Sequence, residues 1–299
     1  MKICQFDSFN NESIVLALGF FECIHIGHRE LLSVCQQKAK NLQSKSACFT
    51  FDNNPQQFFG NNSRKLIYDF DERCVVLNNL GMDYTLYQRF DKNFCSMSAE
   101  DFLKNLFRLN IKGIVCGFDF SYGKNAVGNA ISLLEACKRQ NIPCDIIEEV
   151  SLKGKKVSSS LIYDCINKGN ICDANIMLGE KYRYVGIVDG GKKVGRTLGF
   201  PTINLSLNND VVTPNYGVYS GEIVFSDKLY NAVINVGTRP TFNDNNSLIE
   251  AHIIGFNGDL YGQSIRLFFN RFIRKQKVFV DKEQLSKQIY KDVLEAKNG

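Results

Sequence analysis

The stretch IVLALGFFECIHIGH, residues 14–28, decides the fold of the first half of the chain. Residues 14–20 form an unbroken apolar run that reaches a turn at Gly19. From 26 to 42 the apolar positions Leu31, Leu32, Cys35, Ala39 and Leu42 recur with the period of a helix that buries one face. A run that is apolar at every position is a strand covered on both sides, and its direct passage into a helix is the start of a β-α-β unit.

Working outward, apolar runs at 47–51, 84–87, 113–116 and 144–147 alternate with helical patterns near 71–80, 98–109 and 127–141. Ser98-x-x-Asp101 opens the second of these helices with a capping-box pattern, whereas the third has no strong start signal. The alternation predicts a parallel α/β sheet of the Rossmann-like kind, with ligands at the carboxyl ends of its strands. Two further helical segments, 158–168 and 171–178, end at Leu178-Gly179-Glu180.

Beyond 180 the texture changes. β-rich runs at 182–189, 217–225, 230–236, 248–254 and 264–272 are separated by Gly, Asn and Asp. This spacing predicts a small antiparallel barrel, closed by a terminal helix from about Asp281 with Leu285, Ile289, Val293 and Ala296 on one face. The expected domains are therefore 1–180 and 181–299.

Composition sharpens the division. All 11 cysteines lie between Cys4 and Cys172, with no C-x-x-C spacing, which fits buried reduced thiols better than a disulfide framework or a zinc site. Residues 1–180 carry 20 basic and 20 acidic side chains, and residues 181–299 carry 16 and 11. The excess of 5 is spread thinly, without the basic run of a nucleic-acid tail, and holding a polyphosphate would account for it. No stretch reaches the ~20 apolar residues of a membrane span, and no signal-peptide pattern opens the chain. The expectation is a cytoplasmic protein without nucleic-acid or membrane partners.

Two segments carry chemistry. His25, Gly27 and His28 fall where the first strand hands over to its helix, a place that favours phosphate through free N–H groups and the positive helix end. Two of the chain's three histidines lie there. Imidazoles so placed can donate to phosphate oxygens as charge develops on them, and Gly27 leaves room for close backbone approach. Downstream, Gly190, Gly191, Gly195 and Gly199 surround Lys192, Lys193 and Arg196 in a loop suited to a phosphate chain. Thr202 and Asn204 then offer two neutral oxygens on one side of an extended segment, a set that Mg2+ accepts.

GFFECIHIGH at 19–28, with TFDNNP at 50–55, GFDFSYG at 117–123 and VSSS at 157–160, resembles in order and spacing the adenylyltransferase domain of bacterial bifunctional riboflavin kinase/FAD synthetases. That resemblance spans residues 1–180. GRTLGFPTIN at 195–204, GVY at 217–219, NVGTRPTF at 235–242, IEAHIIGF at 249–256, LYG at 260–262 and the run around Arg274 resemble the riboflavin kinase domain of the same family. The resemblance implies a nucleotidyltransferase fold followed by a kinase barrel, and transfer of AMP from ATP to FMN beside phosphorylation of riboflavin. With these it implies small-molecule substrates and a monomer or weak homo-oligomer.

It further implies nucleotide and flavin contacts from Gly19, Phe20, Gly27, Asn54, Gly117, Asp119, Phe120, Ser158, Ser159 and Ser160 in the first half. In the second half it implies contacts from Gly195, Arg196, Gly199, Pro201, Thr202, Asn204 and Arg274. His25, His28 and Glu250 take the catalytic positions, and Thr202 and Asn204 hold Mg2+. His252, two residues beyond Glu250, is expected on the same strand face as supporting structure. The chain departs from the family pattern at Glu22, Cys23, Asn54, Tyr163 and Gly255. Three readings fit these residues: a bifunctional enzyme making FMN and then FAD, a riboflavin kinase with a degenerate first domain, and a flavin-binding regulatory protein without chemistry.

Overall fold

Every residue of the strand Ile14–Leu18 is buried, because that strand lies inside a six-stranded parallel sheet. The structure, a computed structural model, describes residues 1–9, 12–60, 64–190, 199–226, 228–239 and 244–297. Two compact units divide between Ser159 and Ser160.

In the first unit the strands are β1 (Lys2–Gln5), β2 (Ile14–Leu18), β3 (Lys45–Phe51), β4 (Tyr84–Gln88), β5 (Ile111–Gly117) and β6 (Cys144–Ile147). Their spatial order is β1-β4-β3-β2-β5-β6. After β2 the chain builds the sheet in one direction through β3 and β4, and then β5 is added on the other side of β2. That reversal opens a crevice at the carboxyl ends of β2 and β5, where open α/β sheets bind ligands. Helices α1 (Ile26–Asn41), α2 (Phe70–Asn79), α3 (Ala99–Phe107) and α4 (Ala130–Arg139) connect the strands.

Ser98 caps α3 as expected, its Oγ accepting from the Asp101 backbone N–H at 3.0 Å, while the Asp101 carboxylate accepts from the Ser98 hydroxyl at 2.7 Å in place of the backbone N–H that a full capping box would use. The start of α4 corrects the reading that it lacked a signal, since Asn129 and Ser132 form a reciprocal capping box. The cysteines of the core are reduced and buried, Cys35, Cys48, Cys116 and Cys137 among them. No group of His, Cys, Asp or Glu among the described residues is arranged to hold a metal ion.

The second unit contains α5 (Ser159–Lys168) from its second residue on, α6 (Ile171–Leu178) and a closed six-stranded barrel. The barrel strands are β7 (Arg183–Asp189), β8 (Thr202–Leu205), β9 (Gly217–Phe225), β10 (Lys228–Arg239), β11 (Asp244–Ile253) and β12 (Ser264–Arg274). Around the barrel they run β7-β8-β11-β10-β9-β12, each antiparallel to its neighbours. The short helices group with the barrel for a definite reason: Asn175 of α6 donates to the Phe269 carbonyl at 2.9 Å and accepts from the Tyr182 N–H at 2.7 Å. Gly179 ends α6 in the left-handed conformation, with φ of 72°. The terminal helix α7 (Lys282–Lys297) lays Ile289, Val293 and Ala296 on Val218 and Val233 of the barrel's outer face.

Candidate active sites

The first site is built by a strained turn. After β2, Phe21 and Ile24 have φ of 50° and 51°, a region that bulky L-residues seldom occupy. Both side chains are fully buried. The Phe20 carbonyl accepts from Thr50 Oγ1 at 2.6 Å and from Arg73 Nη1 at 3.1 Å, which fixes the turn against β3 and α2.

This turn delivers His25 to the N-terminus of α1, where its Nδ1 accepts from the His28 backbone N–H at 3.3 Å. A neutral imidazole accepting at Nδ1 carries its proton on Nε2, so His25 is a donor at its far edge. The two rings stack with centroids 3.8 Å apart, and a Cβ on Gly27 would press on the His25 ring at 3.3 Å. Burial lowers the His25 pKa to about 4, and burial followed by the neighbouring His25 holds His28 well below its ordinary value. Both rings are therefore neutral at pH 7. His28 Nδ1 is buried with no hydrogen-bond partner.

A cavity of about 170 Å³ opens here, bounded by His25, Gly27, His28, Gly117, Asp119, Ser158 and Ser159 among others. Phe118 and Lys156 also line it, and sequence reading missed both. The Lys156 ammonium lies 2.9 Å from Asp119 Oδ2 and 4.2 Å from the centre of the Phe118 ring.

Five expected positions lie outside this cavity. Gly19 sits under the Phe21 ring, and the Phe20 ring covers the Arg73 guanidinium at 5.0 Å. Asn54 is buried and accepts from Gln56 N while donating to the Arg64 carbonyl, both at 3.0 Å. Phe120 packs on the core beside Tyr122, and Ser160 is exposed in the first turn of α5. Of the departures, Glu22 is buried and paired with Arg64, whose second arm donates to the Ser159 carbonyl at 2.9 Å. Cys23 does not line the cavity; it is fully buried against Ser159, and burial pushes its thiol up to about 12.

The second site lies on the barrel. Leu205 of β8, Ile249 and Ala251 of β11 and Ile234 and Val236 of β10 are buried. The alternating positions Thr202, Asn204, Glu250, His252 and Asn235 therefore share the opposite face. Register makes them a grid: Asn204 is opposite Glu250, which is opposite Asn235, and Thr202 is opposite His252. Asn235 Nδ2 donates to Glu250 Oε2 at 3.4 Å. His252 Nδ1 donates to the Pro201 carbonyl at 2.8 Å, since a carbonyl only accepts, and burial lowers the pKa of that ring.

Gly199 has φ of 82°, a left-handed conformation that favours glycine. Gly195 and Arg196, with Gly191, Lys192 and Lys193, lie outside the described residues. A cavity of about 420 Å³ is lined by Pro201, Thr202, Ile203, Ala251 and the 256–261 loop, whereas Asn204 and Glu250 are not in its lining. Arg274 is placed elsewhere, with its guanidinium on Asp292 of α7. A hydroxyl, a carboxamide oxygen and a carboxylate on one strand face are hard oxygen donors of the kind Mg2+ takes.

Comparison with known proteins agrees with both halves. The FAD synthetase family matches residues 7–161 and the riboflavin kinase family matches residues 178–299. A bifunctional riboflavin kinase/FMN adenylyltransferase of Bacillus subtilis is 33% identical over 288 residues, 94% of this chain and 91% of that protein. The chain belongs to the bifunctional riboflavin kinase/FMN adenylyltransferase family. Its Escherichia coli relative of the same name is 30% identical over 290 residues, covering 96% and 92%. A solved Streptococcus pneumoniae structure named as a macrolide-efflux protein has a TM-score of 0.89 at 28% identity, covering 100% of this chain and 99% of that one. No helix among the described residues is long and apolar enough to cross a membrane.

The structure places His25, Gly27 and His28 around the first cavity and Thr202, Asn204 and Glu250 on paired strands of one barrel face. Sequence reading overlooked Asn235, whose place beside Glu250 needs the strand register to be seen.

Proposed function

We propose that this chain phosphorylates riboflavin with ATP to give FMN and then transfers AMP from a second ATP to FMN, giving FAD and pyrophosphate. The kinase half is carried by 181–299 and the transferase half by 1–180. The reading rests most on one observation, the placement of Thr202, Asn204 and Glu250 on a common face of paired strands.

In the kinase half the Glu250 carboxylate orients the ribityl 5′-hydroxyl and takes its proton as that oxygen bonds to the γ-phosphorus and ADP departs. Thr202 and Asn204 would hold Mg2+, which screens the charge of the phosphate chain. His252 keeps the Pro201–Thr202 backbone in place through its hydrogen bond to the Pro201 carbonyl. The cavity lined by Pro201, Ile203, Ala251 and Tyr261 offers a half-apolar space for the nucleotide base.

In the transferase half a phosphate oxygen of FMN bonds to the α-phosphorus of ATP while the bond to the pyrophosphate oxygen breaks. The chain's part is donation rather than proton removal. His25, neutral with its proton on Nε2, and the α1 N-terminus receive charge on the phosphate oxygens. Lys156 is the cation at the cavity's rim, and Phe118 supplies an aromatic face beside it.

The protein works in the cytoplasm on small molecules, as a monomer or weak homo-oligomer, with no nucleic-acid partner. The test separates the halves by substrate. Glu250→Gln given riboflavin and MgATP forms FMN only at a small residual rate, yet still converts supplied FMN to FAD at the parent rate. FMN formation at the parent rate by that variant would remove the carboxylate from the account. Flavin binding without ATP consumption by the parent protein would instead favour a regulatory role.

A further inference from the structure

Glu250 does not stand alone on its strand face. Directly opposite it on β10 is Asn235, whose amide nitrogen donates to Glu250 Oε2 at 3.4 Å. A carboxamide can present either its oxygen or its nitrogen to a neighbour, and a carboxylate accepts only from the nitrogen. The choice is made on the far side of the amide. Gln276 Nε2 donates to Asn235 Oδ1 at 3.0 Å, so the oxygen is engaged by Gln276 and the nitrogen faces Glu250.

The position of Gln276 is itself built in. Gly237 has φ of 142°, and a Cβ there would lie 2.5 Å from Gln276 Oε1. A residue without a side chain is needed for Gln276 to lie across β10 and reach Asn235. Three residues from two separated segments thus converge on the orientation of one carboxylate.

We propose that Asn235 is a positioning residue for phosphoryl transfer: oriented by Gln276, its amide holds the Glu250 carboxylate in the pose that receives the substrate hydroxyl. The proposal rests on Glu250 acting as the kinase carboxylate. A residue that acts only through Glu250 changes turnover and leaves riboflavin and ATP binding as they were. A misdirected general base costs rate because the reacting atoms must lie within hydrogen-bond reach.

The experiment is a mutant cycle on the full chain, read as FMN formed from riboflavin and MgATP, with riboflavin binding followed by fluorescence quenching. Asn235→Leu keeps the volume and removes the amide. It is expected to lower kcat at least about tenfold while both KM values stay within about threefold. Gln276→Met, which frees the amide to turn, is expected to give a smaller loss of the same kind. In the Glu250→Gln background Asn235→Leu is expected to cause no further loss, because a residue acting through Glu250 has nothing left to position. A purely structural Asn235 would lower the residual rate of Glu250→Gln further, or raise KM and weaken riboflavin binding, and either result overturns the proposal. Asn235→Leu with parent kcat overturns it as well. If Glu250→Gln alone keeps the parent rate, the failure belongs to the assignment of Glu250 and is visible without any Asn235 variant.

Discussion

Arg274 and Asp292 meet in a two-point ion pair, Nε to Oδ1 at 2.9 Å and Nη2 to Oδ2 at 2.6 Å. Asp292 is 2% exposed on the inner face of α7, so a charged group stands where the helical period promised only apolar contact. The pair latches the terminal helix to the end of β12, and Gln288 adds a donor to Asp292 at 2.9 Å. Removing one partner leaves the other charge without compensation in a dry place.

Asp292→Ala is therefore expected to lower the stability of the second unit by about 3 kcal/mol. Urea unfolding followed by tyrosine fluorescence measures this, and hydrogen exchange over 282–297 should rise with it. A variant as stable as the parent, with its helix still protected, would contradict the latch.

The histidine pair makes a second prediction. Loss of one preorganised donor to a developing oxyanion costs about 10²–10³ in rate. His28→Ala should lose that much in FAD formation from supplied FMN while FMN formation from riboflavin keeps its rate. A parallel fall in both activities would mean that the ring serves folding instead.

Glu22 and Arg64 give a dependence on pH. Burial raises the Glu22 pKa above its ordinary 4.5, and the opposing effect of Arg64 does not cancel it. A carboxyl whose folded pKa is raised binds its proton more tightly in the native state. Its contribution is full below the unfolded value and is lost as pH rises through the folded value. Glu22→Gln should accordingly gain stability over the parent as pH rises from 4 to 8, whereas Arg64→Met at pH 7 strands a buried carboxylate and should lose about 2–4 kcal/mol. Denaturation midpoints across that range decide, and a Glu22→Gln difference that shrinks with pH would reverse the sign.

The thiols should divide by burial. Cys172 is exposed, whereas burial pushes Cys35 and Cys48 up to about 12. A disulfide reagent should modify Cys172 first and reach Cys35 and Cys48 only on unfolding. Fast loss of Cys48 in the native protein would contradict the packing described.

What the sequence made readable follows from periodicity. β2 is apolar at every position and α1 repeats its apolar face, so both were evident. β1 was not, because Lys2–Gln5 is a short edge strand of mostly exposed residues with no alternation to read. The start of α4 was missed because a serine, and not an acid, closes the Asn129 capping box. Thr202 and Asn204 could be placed on one side of an extended segment by their spacing of two. Phe118 and Lys156, or Asn235 and Glu250, are brought together by chain-distant pairing that local pattern does not contain. The family motif points Arg274 at a ligand, and its partner Asp292 is visible only with the helix in place.

The most direct test of the account is chromatographic separation of FMN from FAD during incubation of the purified chain with riboflavin and excess MgATP. The account predicts that FMN appears first and is then converted to FAD, with ADP and pyrophosphate as the matching products. FMN that accumulates without FAD would contradict a working first site, and riboflavin left unchanged would contradict both.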